Sequence, residues 1–201
     1  MRTYLAEVHQ AEADVPGVRR AELEKAARWI RSRLDAGETV QLTFICTHNS
    51  RRSHLAQVWA QAAAEYFGVR GIRTHSGGTE ATACNSRTIA ALRRAGFQIP
   101  DPPVAANPVY EIRFSEAQPP LKAFSKVYDR DGNPTSDYLA LMCCSHADEN
   151  CPIVRGASSR ISLNYEDPKA FDGSPEEAAT YDARCREIAR DMVFMMSRAR
   201  R

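Results

Sequence analysis

The amino-acid sequence predicts an α/β fold, a three-layer sandwich in which helices cover a four-stranded parallel sheet. Short apolar runs suited to strands alternate with helical stretches along the chain, and this order is typical of parallel βαβ units. The 201 residues suffice for one sizeable core. With 43% apolar and 26% charged residues, the composition is that of a soluble globular protein.

The first predicted element is an amphipathic helix over residues 19–35. Apolar side chains recur there at helical spacing with charged residues between them, and Gly37 follows as a stop signal. We assign residues 1–38 to an N-terminal helical extension. Residues 39–201 are expected to form the main α/β domain.

Two pairs of strand and helix are predicted next. The run TVQLTFIC, residues 39–46, lacks helical periodicity and indicates a buried central strand. A helix is expected over about residues 50–67, followed by a strand over residues 71–76. Asn85 or Ser86 can cap the helix after that strand.

The second half of the domain begins with an interruption. Prolines and aromatic residues are concentrated at about residues 100–136, which predicts a flap or insertion. The run SDYLALMCC then predicts a third strand over about residues 137–144, and SSRISLNY predicts a short fourth strand over residues 158–165. A final helix is expected over residues 175–198, because Pro175 and two glutamates make a favourable first turn.

Charge and hydropathy argue against several functional classes. The net charge of +2 is too small to indicate nucleic-acid binding. No apolar run approaches the length of about 18 residues that a membrane span needs, and the N-terminal residues do not resemble a signal peptide. We therefore expect a cytoplasmic protein that binds neither nucleic acid nor a membrane. The oligomeric state is not predicted.

Six cysteines in a cytoplasmic chain are expected to be reduced thiols. We interpret Cys84, Cys143 and Cys185 as structural residues. Cys144 and Cys151 lie seven positions apart, wider than the close pairs of structural zinc sites, and the chain lacks the second pair that such sites use. The sequence therefore predicts no metal site and no cofactor.

The segment FICTHNSRRSHLAQ, residues 44–57, is the candidate site. Ligands of an open parallel sheet lie beyond the carboxyl ends of its strands, where Cys46 stands. The helix that follows presents free N–H groups and a positive dipole end, which favour an oxyanion or a thiolate. Arg52 can offer two parallel donors to an oxyanion, and Ser53 can hydrogen-bond the thiolate. The Cys-x5-Arg spacing therefore predicts nucleophilic attack on a tetrahedral oxyanion.

This loop, CTHNSRRSHLAQVWA, resembles that of the low-molecular-weight protein tyrosine phosphatase superfamily. It is most similar to the arsenate reductase branch that thioredoxin recycles. The segments HSGGTEA, CSHADENCP and EDP are similar to later positions of that branch. The resemblance covers residues 40–99 and 138–198, and leaves out the N-terminal helix and the insertion.

The resemblance implies a thiol relay. Cys46 would attack arsenate, Cys144 would attack Cys46 and release arsenite, and Cys151 would attack Cys144 to leave a disulfide that thioredoxin reduces. A loop that moves between Cys144 and Cys151 would be required. The family's acid is an aspartate directly before a proline, which implies Asp167 here, with Glu166 as the fallback.

The loop between the nucleophile and the helix is expected to bind the oxyanion. The expected binding residues are Thr47, His48, Asn49, Ser50, Arg51 and Arg52. Hydrogen bonds of Asn49 are expected to hold the geometry of the loop, together with Ser76 by family position.

Three positions depart from the family pattern. His48 replaces a glycine and can either stabilise the thiolate when protonated or face solvent. Arg51 replaces a second loop cysteine and can either strengthen anion binding or face solvent. Gln57 replaces a glutamate that helps to hold a potassium ion, which argues against such an ion here.

Three functions remain open. Cys144 and Cys151 favour arsenate reduction. The alternative is a tyrosine phosphatase or phosphomonoesterase, in which water hydrolyses a phosphoryl group on Cys46 with Asp167 as acid and then base. Lys169 and Ala170 stand where tyrosine phosphatases of the superfamily have an aromatic residue, which argues against a tyrosine phosphatase. A third possibility is a non-catalytic module that binds oxyanions.

Overall fold

The computed structural model describes residues 1–115, 118–130, 132–151 and 153–200. Its helices and strands are, in chain order, α1 (Arg2–Gln10), α2 (Gly17–Asp35), β1 (Val40–Cys46), α3 (Arg52–Tyr66), β2 (Ile72–Gly78), α4 (Ser86–Arg94), β3 (Tyr110–Ile112), β4 (Leu121–Ala123), β5 (Tyr138–Met142), α5 (Ser145–Asn150), β6 (Ala157–Ser162) and α6 (Glu177–Ala199). Short 3₁₀ helices span Ala11–Asp14 and Pro168–Phe171.

The main sheet has four parallel strands in the order β2-β1-β5-β6. Strand β1 lies between β2 and β5, and its register places Cys46 opposite Gly78. Six of its seven residues are buried, as expected for a central strand with helices nearby. The predicted α/β fold with a four-stranded parallel sheet is confirmed.

The N-terminal residues pack against the last helix of the chain. Both α1 and α2 contact α6. Their apolar residues Leu5, Leu23 and Ile30 are fully buried and belong to the same core cluster as the sheet. Division of the chain at residue 38 stays a prediction. Within the described residues, no helix combines the length and apolar character needed to cross a bilayer.

The region predicted as a flap contains an antiparallel pair of strands, β3 and β4. The chain after β4 then runs along the end of β2. The Gly78 N–H donates a hydrogen bond to Lys126 O at 2.8 Å, and the Gly78 carbonyl accepts one from Tyr128 N at 3.0 Å. The Asn133 side chain donates to Ser76 O at 2.8 Å. This part of the insertion is therefore joined to the edge of the sheet that leads to the candidate site.

Several element boundaries differ from the sequence-based expectation. Helix α3 begins at Arg52, not near residue 50, because the residues before it form the loop after β1. Strand β5 ends at Met142, and the short helix α5 follows where no helix was predicted. Strand β6 ends at Ser162 rather than residue 165. Each difference lies where the chain turns toward the candidate site.

Gly78 provides a test of how closely β2 approaches the loop. A Cβ atom at this position would lie 2.3 Å from Glu80 O, 2.6 Å from Thr47 O and 2.9 Å from Asn49 N, all of them backbone atoms. We expect Gly78→Ala to lower the free energy of unfolding by roughly 2 kcal/mol, because backbone atoms must shift. Urea unfolding monitored by circular dichroism measures this change.

The matched control is Gly17→Ala at the first residue of α2, where an added Cβ meets nothing within 4 Å. Alanine is a better helix former than glycine, so we expect an unchanged or slightly higher midpoint. Equal midpoints for the two variants would contradict the close approach at Gly78.

Candidate active site

Cys46 lies at the carboxyl end of β1 and is 3% exposed. Its Sγ is 3.1 Å from Ser53 Oγ, in the first turn of α3. Ser53 Oγ also accepts a hydrogen bond of 2.8 Å from Asn49 Nδ2. Because the Asn49 amide takes one lone pair of the hydroxyl, the Ser53 hydrogen is available to the sulfur. The first turn of α3 thus supplies a hydrogen-bond donor to the Cys46 sulfur.

The backbone of residues 46–50 is held from outside the loop. Loop carbonyl oxygens accept hydrogen bonds from residues outside the loop, among them Thr79 N to Cys46 O (3.2 Å), Glu80 N to Thr47 O (3.0 Å), Ser125 Oγ to His48 O (2.8 Å) and Asn85 N to Ser50 O (3.0 Å). The C=O and N–H of a trans peptide point in opposite directions. Carbonyl groups bonded outward therefore turn the intervening N–H groups toward the interior of the loop, where an oxyanion would bind.

Asn49 is fully buried and has a left-handed backbone with φ of 45°. Asparagine tolerates this conformation better than most residues. Its Oδ1 accepts a hydrogen bond of 3.0 Å from Lys126 N, while its Nδ2 donates to Ser53. Asn49 thus joins the loop to both the insertion and α3.

Ser76 does not contact the loop in the way its family position implied. Its hydroxyl lies 3.1 Å from Nδ1 of His54, the residue after Ser53 in α3. Burial and then the Lys126 ammonium lower the pKa of His54 to about 3, so the imidazole is neutral. Gln57, also in α3, is buried and donates to Thr74 O at 3.0 Å. These residues support α3 beneath the loop.

Arg52 is bound on both sides of its guanidinium group. Nη1 donates to Tyr165 O at 3.0 Å, and Nη2 donates to Asp167 Oδ2 at 2.8 Å. The side chains of Arg52 and Asp167 are 13% and 31% exposed, whereas Glu166 is exposed. The structure therefore brings Asp167 to the loop arginine and leaves Glu166 at the surface.

Arg51 does not face solvent, which was one of its two expected alternatives. Its side chain is 11% exposed and turns toward the start of α6. Nε donates to Tyr181 Oη at 2.8 Å, and Nη2 lies 3.4 Å from Asp172 Oδ2. Tyr181 also donates to Asp172 at 2.8 Å. Arg51 therefore joins the loop to α6, while its Nε remains 3.9 Å from Asp167 Oδ1.

His48 occupies the outer side of the loop. Its Nε2 lies 3.0 Å from Glu80 Oε1, and both side chains are about half exposed, at 47% and 58%. This position agrees with the solvent-facing alternative for His48.

A second thiol lies beside the loop. Cys144 follows β5, is 1% exposed, and its Sγ is 3.5 Å from Thr47 Oγ1. The sulfur also accepts a hydrogen bond of 3.4 Å from Ala147 N in α5. His146 Nδ1 is 3.2 Å from the same Thr47 hydroxyl. Thr47 thus connects the two cysteine-bearing segments.

Cys151 stands apart from this group. It directly follows α5, is partly exposed, and donates its N–H to Ala147 O at 3.0 Å. The residue after it, Pro152 of the CSHADENCP motif, lies outside the described residues. Helix α5 therefore separates the two cysteines that the resemblance pairs.

The remaining cysteines have environments that suppress ionisation. Burial raises the pKa of Cys84 and of Cys185 to about 12, and raises that of Cys143 well above its ordinary value. Cys185 accepts a hydrogen bond of 3.2 Å from Trp59 Nε1. The pKa shifts agree with the structural roles expected for these three residues.

Sequence reasoning missed several residues that support the site. His54 and Lys126 lie near the loop, Tyr165 bonds Arg52 through its carbonyl, and Tyr181 and Asp191 bond Arg51 and Tyr165. Asp191 could have been noticed as a charged residue on the apolar side of the last helix. The others carry no local signal, because their contacts are with residues distant in the chain.

The fold and the site together define an α/β protein with a Cys-x5-Arg loop at the carboxyl end of its central strand. The family model for low molecular weight phosphotyrosine protein phosphatase matches residues 41–118. The match extends past residue 99, where the sequence resemblance ended, into the insertion.

Individual relatives give the same result. An arsenate reductase from Brevibacillus brevis is 28% identical over 125 residues, which is 62% of this chain and 74% of the relative. A YwlE mutant from Bacillus subtilis has a similar structure, with a TM-score of 0.55, 15% identity, and coverage of 79% of this chain and 97% of that one. A low molecular weight protein tyrosine phosphatase from T. tengcongensis has a TM-score of 0.51 and 16% identity, covering 79% and 98%. The family model and the arsenate reductase relative confirm the resemblance to the superfamily and its arsenate reductase branch, and the two solved structures show the same fold.

Asp191 in α6 makes stability depend on pH. Its carboxylate is fully buried beside Arg19, Arg190 and Tyr165. Burial raises its pKa to about 6, against the opposing effect of the two arginines and the Tyr165 hydrogen bond, while Glu187 raises it further. The folded protein therefore holds an extra proton between about pH 4 and pH 6.

We expect binding of this proton to contribute its full share of the free energy of unfolding below about pH 4. This contribution should be lost as the pH rises from about 4 to 6. The loss amounts to roughly 2–3 kcal/mol. Urea unfolding of the wild type and Asp191→Asn at a series of pH values measures it. The difference in unfolding free energy, wild type minus variant, should fall between pH 4 and pH 6.5. A difference that rises or stays constant would contradict the raised pKa.

Proposed function

We propose that the protein reduces arsenate to arsenite through a relay of Cys46, Cys144 and Cys151, with thioredoxin as the reductant. The observation that carries this proposal is the position of Cys144. A second buried thiol, just beyond the end of the neighbouring strand, lies 3.5 Å from the hydroxyl of a residue in the Cys46 loop. A phosphatase has no need of a second thiol there.

The first step joins arsenate to the protein. The loop N–H groups and Arg52 bind the oxyanion, and the Cys46 thiolate attacks arsenic to form an S–As bond. One arsenate oxygen leaves as water after Asp167 has supplied a proton. Arsenic remains in the +5 state at this stage.

The second step transfers two electrons to arsenic. The Cys144 thiolate attacks Cys46 Sγ, an S–S bond forms, and the electron pair of the S–As bond passes to arsenic, which leaves as arsenite. The Cys151 thiolate then attacks Cys144 Sγ and releases the Cys46 thiolate. A dithiol reductant of the thioredoxin class returns the Cys144–Cys151 disulfide to two thiols.

The relay requires α5 to unwind. Cys151 is seven positions after Cys144, and a helix rises 1.5 Å per residue, so the two Cα atoms are about 10 Å apart. A disulfide requires a Cα–Cα distance of about 4.4–6.8 Å. The moving segment is thus a helix, not the loop that was expected. Asp148 ties this helix to the chain around β6 through Arg160, Ser162 Oγ at 2.8 Å and Asn164 Nδ2 at 3.1 Å. Unwinding must weaken these contacts.

Relatives named arsenate reductase support this proposal over a non-catalytic binding module. Phosphomonoester hydrolysis is the second candidate function. It is favoured by the pair of Arg52 and Asp167, because the same acid and arginine would suffice to form and hydrolyse a Cys46 phosphoryl intermediate. Lys169 and Ala170 are exposed and provide no aromatic wall for a phosphotyrosine ring.

The relay is tested by removing one thiol at a time. We expect Cys144→Ser and Cys151→Ser each to abolish steady-state arsenate reduction with thioredoxin, because neither variant can complete the disulfide. Turnover is measured by the release of arsenite. Cys84→Ala, which removes another buried thiol, should retain most of the wild-type rate.

Mass spectrometry after one arsenate turnover without reductant gives a direct readout. The wild type should contain the Cys144–Cys151 disulfide. Full thioredoxin-dependent turnover by Cys144→Ser would refute the relay. Hydrolysis of p-nitrophenyl phosphate that survives both serine substitutions, together with no arsenate reduction by the wild type, would support the phosphatase instead.

The acid is tested by a pair of adjacent carboxylates. We expect Asp167→Asn to lower the single-turnover rate with arsenate by about 100-fold, because the departing oxygen loses its proton donor. Glu166→Gln removes a neighbouring exposed carboxylate and should leave the rate within about twofold. A larger effect at Glu166 would move the acid role to that residue.

A further inference from the structure

Arg19, near the start of α2, reaches the segment that carries Asp167. Its Nη2 donates to Asn164 O, and its guanidinium carbon lies 4.7 Å above the centre of the Tyr165 ring. The side chain is 19% exposed. An arginine outside the region of family resemblance therefore contacts Asn164 and Tyr165, which lie shortly before Asp167 in the chain.

A buried carboxylate fixes the direction of this arginine. Asp191 is fully buried in α6, and its Oδ2 lies 3.4 Å from Arg19 Nε. The same oxygen accepts a hydrogen bond of 3.1 Å from Tyr165 Oη. Arg190 approaches the other oxygen at 3.3 Å. Arg19 and Tyr165 are thus held against each other by one acceptor.

The backbone of Tyr165 continues this chain of contacts into the active site. Its N–H donates to Cys143 O at 3.1 Å, and its carbonyl accepts from Arg52 Nη1 at 3.0 Å. Two residues later, Asp167 accepts from Arg52 Nη2. Tyr165 therefore lies between Arg19 and the proposed acid, and a shift of Tyr165 would carry Asp167 with it.

We propose that Arg19 is a positioning residue for the acid segment, residues 163–167, and that α2 thereby forms part of the active-site support. The inference rests on the proposed function, because it assigns Asp167 a role in proton transfer. Arg19 contacts no reacting atom and acts through Tyr165 and Asn164.

The geometry requires an arginine. One guanidinium group binds a carboxylate through Nε, a carbonyl through Nη2 and an aromatic face through its plane. Lysine offers a single charged atom and cannot make the three contacts together. Arg19→Lys should therefore behave much like Arg19→Met, although it keeps the charge.

A double-mutant cycle with Asp167 distinguishes positioning from a general loss of stability. We expect Arg19→Met to lower the single-turnover rate with arsenate about tenfold in the wild-type background, because a displaced proton donor loses most of its effect. In an Asp167→Asn background the same substitution should change the rate by less than about twofold. Equal effects in the two backgrounds would overturn the proposal.

Hydrogen exchange provides a readout that needs no activity. The amides of Leu163 and Tyr165 donate to Met142 O at 2.7 Å and Cys143 O at 3.1 Å. Arg19→Met should speed their exchange at least about tenfold if Arg19 holds this segment. Unchanged exchange at both amides would refute the positioning role, whether or not the protein is an enzyme.

Arg31→Met is the matched control. Arg31 lies on the same helix and also donates to backbone carbonyls, those of Arg198 and Arg200 at the far end of α6. Arg31→Met should leave amide hydrogen exchange at residues 163–167 and the single-turnover rate with arsenate unchanged. Should Arg19→Met fail to fold, Arg19→Lys and Tyr165→Phe test the same contacts with smaller changes.

The two proposals fail separately in these experiments. A wild type that neither reduces arsenate nor hydrolyses p-nitrophenyl phosphate would refute the proposed function, while exchange at Leu163 and Tyr165 would still decide the role of Arg19. An active wild type with unaltered kinetics and exchange in Arg19→Met would refute only the positioning role.

Discussion

The parallel register of β1 with β2 and β5 determines where every part of the site lies. Because the three strands run in the same direction, their carboxyl ends meet at one edge of the sheet, with Cys46 opposite Gly78 and Cys143 N bonded to Ile45 O. The loop after β1 can close over Cys46 only because the neighbouring strand ends in a glycine. Cys144 reaches the loop for the same reason, since it directly extends the chain beyond β5.

The charges of the site are balanced within the folded protein. Arg51 and Arg52 are largely buried, and a buried guanidinium group needs partners to compensate for its lost hydration. Carboxylates from the segment between β6 and α6 supply them: Asp167 for Arg52 and Asp172 for Arg51. Under the proposed function, an entering oxyanion replaces Asp167 at one face of Arg52, which frees this carboxylate to take part in proton transfer.

Regions outside the family resemblance support the loop and its surroundings. Ser125 and Lys126, in the insertion, bond His48 O and Asn49 Oδ1, and Arg19 in α2 binds the acid segment. Composition and periodicity could not reveal these contacts, because each joins residues that are more than 70 positions apart. The proline-rich insertion, predicted as a flap, makes backbone hydrogen bonds with the end of β2 through Lys126 and Tyr128.

The sequence alone determined the α/β fold and the Cys-x5-Arg loop, because apolar periodicity and the local spacing of Cys46, Arg52 and Ser53 are written in consecutive residues. It also indicated Asp167 and the pair Cys144 and Cys151 through resemblance. Only the tertiary structure decided that Arg51 turns toward Tyr181 and that a helix separates Cys144 from Cys151. The physical reason is that side-chain direction depends on partners brought together by strand order and helix packing, which local sequence does not encode.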